Sequence, residues 1–258
     1  MTEPPFVEGE LLLLRRRGGG ESLLLRAAPG PRSIPGVGVL DLTDVLGGPP
    51  GREFLWAGVA YQVLRPSLAD RLAVLRRKAQ IITPKDAAYL VFLAGIGPGS
   101  RVAEAGSGSG ALTLVLAHFV GREGRVVSCD RRADFLRVAR GNVDAAGLSD
   151  RVEFLERDVT AEGFPGEPYD AVVLDLPEPW AVAPRARQAL RIGGYLATYT
   201  PTYNQLERTV RALREERFTE VRSLELLERA LHVGDGGTRP DFEMLGHTGF
   251  LTVGRSEG

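Results

Sequence analysis

The chain has 258 residues, 43% of them hydrophobic and 25% charged, which is the composition of an ordinary folded protein with length for one larger and one smaller domain. Basic and acidic residues nearly balance at 32 and 33, so the net charge of −1 excludes a global positive field, and affinity for nucleic acid must come from local patches. The chain lacks an apolar run of membrane-spanning length, which predicts no membrane partner. The single cysteine, Cys129, excludes an intrachain disulfide and predicts a cytoplasmic protein. Three scattered histidines predict no metal site.

The first part of the chain is typical of short strands and turns. Glycine-rich turns separate four β-like runs, at residues 10–17, 21–27, 37–42 and 52–64. Because helical periodicity is weak here, we predict a small β-rich domain over residues 1–66 and a second domain over residues 67–258.

Pro66 precedes a helix-like segment at residues 67–80. Leu68, Leu72 and Leu75 share one face of this predicted helix, and the basic residues lie on its other faces: Arg71, Arg76, Arg77 and Lys78. These charges fit either a solvated helix surface or a surface that contacts phosphates, and the sequence leaves both interpretations open.

From residue 81 onward the pattern alternates between helix and strand. Thr83 as N-cap and Pro84 at the first helical position predict a helix that ends near residue 94. Strands are predicted at 101–105, 125–130, 152–158, 170–176 and 194–200. Helices are predicted after the glycine loop and at 131–146 and 183–190, and a helix at 203–216 precedes two strand-like runs at 221–231 and 247–254. The series predicts an α/β fold with helices on both faces of a largely parallel sheet.

The first of these strands ends in three glycines at alternate positions, Gly106, Gly108 and Gly110, directly before an amphipathic helix. A strand, a glycine turn and a helix in this order allow a backbone to approach a nucleotide-like ligand closely. The same spacing, through Ala111, also satisfies the dinucleotide fingerprint, and a tight turn without a ligand is a further possibility. The glycines alone therefore do not identify the ligand.

Four consecutive predicted strands end in a carboxylate: Glu104, Asp130, Asp158 and Asp175. A single acid could cap the following helix, but ligands bind at this edge of such sheets, and four acids there predict a binding site. Asp130 has the spacing of an acid that accepts ribose hydroxyls, and Asp158 could accept from an adenine amino group. Glu104 would repel a pyrophosphate. The set favours S-adenosyl-L-methionine, which has a positive charge, an amino-acid end and no phosphates.

The last acid begins an unusual turn, Asp175-Leu176-Pro177-Glu178-Pro179-Trp180. An aspartate beside prolines and an aromatic ring could hydrogen-bond the edge of a base and limit its orientation. The alternative is a rigid turn around a buried tryptophan.

With these residues the chain resembles the class I S-adenosylmethionine-dependent methyltransferases, and within them the TrmI family, which methylates N1 of adenosine 58 in the T-loop of tRNA. The resemblance rests on these segments: VLRPSLADRL (63–72), QIITPKDAAYLV (80–91), RVAEAGSGSGALTL (101–114), DLPEPW (175–180) and RPDFEMLGHTGFL (239–251). It implies a Rossmann-like seven-stranded catalytic domain, a tRNA partner and a homotetramer.

The resemblance also implies roles for individual residues. The cofactor would be held by Glu104, Gly106, Ser107, Gly108, Gly110, Ala111, Asp130, Arg131, Asp158 and Asp175. Asp175 would be the catalytic acid, and the substrate would contact Thr83, Trp180, His247, Arg76 and Arg77. Adenine N1 carries a lone pair and needs no base before it attacks the methyl carbon, so a carboxylate facing N1 and N6 would stabilise the charge that develops.

The chain departs from the family pattern on the substrate side. Thr83 replaces a tyrosine before PKDA, Leu231 replaces a late tryptophan, and residues 34–37 offer no histidine, while Asp130 replaces a glutamate on the cofactor side. These departures keep two alternatives open: a methyltransferase that acts on another RNA or a small molecule, and a tRNA-binding paralogue with weak catalysis.

Overall fold

The computed structural model describes residues 3–34, 38–166 and 168–257. Residues 35–37, which include the start of one predicted strand and most of the stretch noted for its lack of histidine, lie outside the described residues. The chain divides into two compact units, Met1–Arg76 with Asp144–Gly147, and Arg77–Val143 with Leu148–Gly258. No helix among the described residues is both long and apolar enough to cross a bilayer.

The described residues of the first unit form two antiparallel sheets, one short α-helix and the 3₁₀ helix Thr43–Val45. The strands and the α-helix are β1 (Leu11–Arg16), β2 (Leu23–Arg26), β3 (Pro31–Ile34), β4 (Gly38–Asp41), β5 (Glu53–Trp56), β6 (Val59–Leu64) and α1 (Leu68–Ala73). The larger sheet has the order β2-β1-β6-β5, and β3 pairs with β4. Leu12 and Leu14 of β1 are fully buried and pack with Phe6, Leu40 and Val63. The β-rich character predicted for this part of the chain is confirmed.

Helix α1 is shorter than the predicted helix at residues 67–80. Ser67 and Asp70 form a capping box that starts it, but it ends at Ala73. Downstream, the backbone N–H groups of Lys78 and Ala79 donate to the side-chain oxygen of Ser109 at 2.9 and 3.1 Å. Because these donors are bonded to the glycine loop, they are not available to a helix, and residues 74–83 form an irregular segment.

The second unit is built on a seven-stranded sheet. Seven strands form this sheet: β7 (Arg101–Ala105), β8 (Arg125–Asp130), β9 (Val152–Glu156), β10 (Tyr169–Leu174), β11 (Leu190–Thr200), β12 (Thr219–Glu225) and β15 (Phe250–Arg255). Two further strands of the unit pair only with each other: β13 (Leu231–Gly234) and β14 (Gly237–Pro240). The helices of the unit are α2 (Pro84–Leu93), α3 (Ala111–Val120), α4 (Ala133–Ala145), α5 (Val159–Glu162), α6 (Ala183–Ala189) and α7 (Tyr203–Glu215).

The sheet has the order β12-β15-β11-β10-β7-β8-β9, and β15 runs antiparallel to both of its neighbours. The predicted α/β fold with a seven-stranded sheet is confirmed. From β7 the chain adds β8 and β9 on one side, whereas β10 and β11 lie on the other, so the order switches between β7 and β10. The predicted strand at 221–231 is divided, because β13 and β14 form a separate hairpin around a glycine-rich turn.

Candidate active site

A cavity of about 670 Å³ lies at the carboxyl ends of the parallel strands, and its lining residues all belong to the second unit. It includes the switch point between β7 and β10, the position at which open α/β sheets bind their ligands. Small-molecule sites usually measure about 300–1,000 Å³, so the cavity has a suitable size. Six of the predicted site residues line it: Gly106, Gly108, Asp130, Arg131, Asp158 and Asp175.

Two glycines of the loop between β7 and α3 are required by close backbone contacts. A Cβ on Gly106 would lie 2.1 Å from the carbonyl oxygen of Asp175, and the φ of Gly106 is +95°. A Cβ on Gly110 would lie 2.9 Å from the Cα of Ala139 in α4, and its φ is +78°. These two positions therefore bring the loop against the end of β10 and pack α3 closely on α4.

Three predicted residues of this loop lie outside the lining of the cavity, namely Gly110, Ser107 and Ala111. Ser107 is buried, and its hydroxyl oxygen lies 2.6 Å from that of Ser128 in β8. Ala111 is also buried and is the first residue of α3. Any effect of these two side chains on a ligand would therefore come through the shape of the loop.

Glu104 lies at the end of β7 and is fully buried. Its Oε2 accepts hydrogen bonds from Thr113 and Ser128, both at 2.6 Å, whereas Oε1 has no partner among the described residues. Burial raises the pKa of Glu104 to about 8, against the two hydroxyl donors and with a contribution from the nearby charges of Asp175 and Asp130. A buried carboxylate oxygen without a donor suits a cationic ligand, although Glu104 itself lies outside the cavity lining.

Asp130 and Asp158 lie at the ends of the neighbouring strands β8 and β9. Asp130 accepts the backbone N–H of Gly108 at 3.2 Å through Oδ2 and that of Arg132 at 2.9 Å through Oδ1. Asp158 caps α5, because its Oδ1 accepts the backbone N–H of Thr160 at 3.0 Å. Backbone donors thus hold both carboxylates in place at the wall of the cavity.

The same end of the cavity presents an aromatic surface. The ring of Phe135, a lining residue, has the guanidinium of Arg132 3.8 Å from its centroid and the ammonium of Lys78 at 5.6 Å. Asp134 pairs with both cations, and their hydrogen bonds hold the pKa of this carboxyl well below its usual range. Arg131 is exposed and also lines the cavity. A flat ring beside two strand-end acids is suited to a purine nucleoside.

Asp175 follows β10 and lies at the switch point of the sheet. Its backbone N–H donates to the carbonyl oxygen of Ala105 at 3.0 Å, and its half-buried side chain lines the cavity. Burial raises the pKa of Asp175 to about 7. The carboxyl group can therefore exchange a proton near neutral pH and can stabilise a cation that forms beside it.

The other end of the cavity is lined by residues that the sequence did not single out: Ile82, Tyr199, Pro201, Gln205 and Thr248. The Tyr199 hydroxyl donates to the backbone oxygen of Thr248, and burial raises the pKa of this phenol to about 12. Tyr199 lies near the carboxyl end of β11, so the strand-end reasoning that found the four acids could also have found it. Its ring supplies an aromatic wall at this end.

Two predicted substrate residues, Thr83 and Trp180, lie outside the cavity lining. Thr83 is the N-cap residue of α2, as predicted, and its hydroxyl donates to the buried carboxylate of Asp86 at 2.7 Å. Trp180 lies in the 3₁₀ helix Pro179–Val182, with the guanidinium of Arg208 5.3 Å from its ring centroid. Their contact with a substrate stays a prediction.

The remaining predicted substrate residues also lie outside the lining. Nδ1 of His247 is 2.6 Å from the Glu225 carboxylate and Nε2 is 2.7 Å from the carbonyl oxygen of Pro201. The hydrogen bond to Glu225 raises the pKa of His247. Arg76 and Arg77 are exposed in the irregular segment after α1. His247 therefore adjoins the cavity wall through its hydrogen-bonding contact with the backbone of Pro201 and through its chain neighbour Thr248.

Comparison with known proteins gives consistent matches over most of the chain. The family described as tRNA methyltransferase complex GCD14 subunit matches residues 62–239. The tRNA (adenine(58)-N(1))-methyltransferase TrmI of Thermus thermophilus is 36% identical over 247 residues, which are 94% of this chain and 95% of that protein. The tRNA (adenine(57)-N(1)/adenine(58)-N(1))-methyltransferase TrmI of Methanocaldococcus jannaschii is 33% identical over 244 residues, 85% of this chain and 86% of that protein.

The fold has a similar match among crystal structures. A SAM-dependent O-methyltransferase from Thermotoga maritima superimposes with a TM-score of 0.82 at 30% identity, over 99% of this chain and 96% of that one. These relatives differ in the acceptor that their names give, an adenine nitrogen or an oxygen, and agree in methyl transfer.

Proposed function

The chain belongs to the tRNA methyltransferase complex GCD14 subunit family, and we propose that it transfers the methyl group of S-adenosyl-L-methionine to N1 of adenine 58 in the T-loop of tRNA. The observation that carries this proposal is the position of Asp175, which lies in the cavity between the acids at the ends of β8 and β9 and the aromatic wall formed by Tyr199. The first end suits a nucleoside cofactor, and the second suits a base.

The donor set at the first end fits S-adenosyl-L-methionine. The close approach at Gly106 leaves backbone as the loop surface there, Asp130 would accept the ribose hydroxyls, and Asp158 would accept from the adenine amino group. Glu104, with one buried oxygen lacking a donor, would favour the cationic amino-acid end. Gly108 and Arg131 would complete the surface, while Ser107, Gly110 and Ala111 would shape the loop. When bound, the cofactor supplies a methyl group on a positively charged sulfur.

Asp175 would act on the base. Its carboxylate would face N1 and N6 of adenine, stabilise the positive charge that develops as N1 is methylated, and accept the proton that N6 then loses. A pKa of about 7 matches this task near neutral pH. Because N1 needs no base before it attacks, most of the remaining acceleration would come from holding the ring in line with the methyl group. Tyr199 offers an aromatic face for that purpose.

The tRNA itself must be held outside the cavity. Adenine 58 has to leave the folded T-loop to enter a pocket, at a cost of a few kcal/mol that contacts to the tRNA backbone offset. Arg76 and Arg77 are exposed and would make such phosphate contacts, and Thr83, Trp180 and His247 would support the base pocket. Substitution of either arginine should weaken tRNA binding and reduce its salt dependence.

The assembly, the location and the domain boundary are part of the same proposal. The segment that contains β13 and β14 exposes a group of large apolar side chains that a homotetramer would cover: Leu227, Leu231, Val233, Phe242, Met244 and Leu245. A tRNA substrate and the single buried Cys129 support a cytoplasmic location. The proposed domain boundary after residue 66 lies at the change from antiparallel strands to the capped helix at Ser67, although this helix packs in the first compact unit, which extends to Arg76.

The proposal is tested by incubating the purified chain with radiolabelled S-adenosyl-L-methionine and two unmodified tRNA transcripts, one with adenine 58 and a matched one with guanine at that position. Methylation of the first transcript alone is the expected result. Equal methylation of both would indicate another acceptor, such as the neighbouring adenine named for the Methanocaldococcus relative. Binding of tRNA without methylation of either would indicate a paralogue that has lost catalysis.

A further inference from the structure

A buried ion pair lies directly behind the substrate end of the cavity. Asp86, in the first turn of α2, is fully buried, and the side chain of Lys85 is 16% exposed. The Lys85 ammonium donates to Asp86 Oδ1 at 2.7 Å, to Thr248 Oγ1 at 2.8 Å and to the backbone oxygen of Leu226 at 2.9 Å. All three protons of the ammonium therefore have acceptors, which a buried cation needs in order to offset its loss of water.

The second oxygen of Asp86 is also fully used. Asp86 Oδ2 accepts the hydroxyl hydrogens of Thr83 and Thr248, each at 2.7 Å. Thr248 thus donates to the carboxylate and accepts from the ammonium with the same hydroxyl group. This geometry gives Thr248 one orientation, although it lies in an irregular segment before β15 and not in a regular strand.

The network continues into the cavity through the backbone of Thr248, whose oxygen accepts the Tyr199 hydroxyl. The next residue, Gly249, lies against the tyrosine ring, since a Cβ there would be 2.3 Å from Tyr199 Cζ. Tyr199 and Thr248 both line the cavity, whereas Lys85 and Asp86 do not. The charge of Asp86 also reaches the phenol, because it adds to the burial that raises the pKa of Tyr199.

We propose that Lys85 and Asp86 are positioning residues, which fix Thr248 and through it hold the ring of Tyr199 where the target base is placed for methyl transfer. The inference rests on the proposed function. It assigns to the segment Pro84-Lys85-Asp86-Ala87 a role that does not involve contact with cofactor or substrate. The cofactor acids Asp130 and Asp158 lie beyond β7, on the opposite side of the switch point. Loss of the network should therefore slow the chemical step and leave cofactor binding nearly unchanged.

The test uses Thr248→Val, which removes the hydroxyl at constant size and leaves the ion pair in place. Its matched control is Thr252→Val in β15, which removes the buried hydroxyl that lies 2.9 Å from the side-chain oxygen of Ser223 in the same sheet, away from the cavity. Each variant loses the hydrogen bonding of a threonine hydroxyl, on a half-buried residue at Thr248 and on a fully buried one at Thr252, so both should lower the melting temperature. We expect kcat for tRNA methylation to fall by about 10- to 100-fold in Thr248→Val, because small misplacement of reacting groups has effects of that size.

In Thr248→Val we expect the Kd for S-adenosyl-L-methionine, measured by calorimetry, to stay within about threefold of the Kd of the unmodified chain. In Thr252→Val we expect kcat to be unchanged. Equal kcat in the two variants would overturn the proposal, because the hydroxyl of Thr248 would then contribute only to stability. A parallel loss of cofactor affinity and kcat would also overturn it.

A second readout is independent of activity. The titration of Tyr199 is obtained as the difference between the tyrosinate absorbance of the unmodified chain and that of Tyr199→Phe. In Asp86→Asn the pKa of Tyr199 should fall, since one of the negative charges that raise it is lost. An unchanged titration would contradict the coupling between Asp86 and Tyr199. If the unmodified chain does not methylate tRNA, the proposed function fails, whereas a shifted titration would still support the network.

Discussion

Glu104→Gln is the substitution whose consequence can be worked out most fully. The change keeps the size of the side chain and a hydrogen-bonding oxygen but removes the charge from a fully buried position. Burial raises the pKa of Glu104 from 4.5 to about 8. At about 1.4 kcal/mol per pKa unit, this shift corresponds to a cost of about 5 kcal/mol for ionising Glu104 in the folded chain without cofactor.

The sign of the effect follows from the raised pKa. The folded state binds the proton of Glu104 more tightly than the unfolded state does, so its contribution to the free energy of unfolding is fully present below pH 4.5 and is lost as the pH rises through about 8. The glutamine variant has no proton to lose at this position. The difference in unfolding free energy between the unmodified chain and Glu104→Gln should therefore change by several kcal/mol in favour of the variant between pH 5 and pH 9.

Urea unfolding of both chains at one-unit pH intervals, without cofactor, measures this difference directly. The half-buried Asp175, with a pKa of about 7, contributes to the pH dependence of both chains and cancels in the comparison to the extent that the two acids act independently. A difference that is the same at pH 5 and pH 9 would contradict a raised pKa of Glu104, because it would mean that Glu104 is already ionised in the folded protein.

Three further predictions concern the cavity and its surroundings. Asp175→Ala should reduce kcat by at least about 100-fold with much less effect on cofactor binding, whereas equal losses of turnover and of cofactor affinity would show that Asp175 mainly holds the cofactor. Methyl transfer by the unmodified chain should accelerate as the pH rises through about 7, the pKa of Asp175. Gly106→Ala should lower the melting temperature and abolish cofactor binding, since its Cβ would lie 2.1 Å from a backbone oxygen, whereas Gly97→Ala, whose Cβ meets nothing within 4 Å, serves as the control that should do neither. The hydrogen bond to Glu225 raises the pKa of His247 above its usual value of 6.5. The stabilisation from the protonated ring is therefore present below pH 6.5 and is lost as the pH rises through the raised pKa of His247, so the unfolding curves of the unmodified chain and His247→Gln should converge at alkaline pH.

The cofactor end of the cavity could be predicted because it depends on local rules. Parallel strands place their carboxyl ends at one edge of a sheet, so acids such as Asp130 and Asp175 at consecutive strand ends had to lie near one another. The glycines were predicted for the same reason, although the sequence could not indicate that Gly106 lies against the backbone of Asp175 and Gly110 against Ala139. Those contacts depend on tertiary packing.

The substrate end could not be predicted to the same extent, because it is formed by irregular segments whose position depends on distant partners. Thr248 is held by side chains from α2 that are more than 160 residues earlier in the chain, with separations of 162 and 163. The helix predicted at 67–80 forms but ends early, at Ala73, for a similar reason, since the backbone of Lys78 and Ala79 is bonded to Ser109. Local propensity describes neither interaction. Tyr199, by contrast, lies near the carboxyl end of β11, where the strand-end rule that indicated the four acids also applies.

Nucleoside mass spectrometry, combined with mapping of the modified position, on unmodified tRNA incubated with the chain and S-adenosyl-L-methionine tests directly whether the chain methylates adenine 58. We expect 1-methyladenosine at nucleotide 58 with the unmodified chain and a loss of nearly all of it with Asp175→Asn. A different methylated nucleoside, or no methylation by a chain that binds the cofactor, would contradict this expectation.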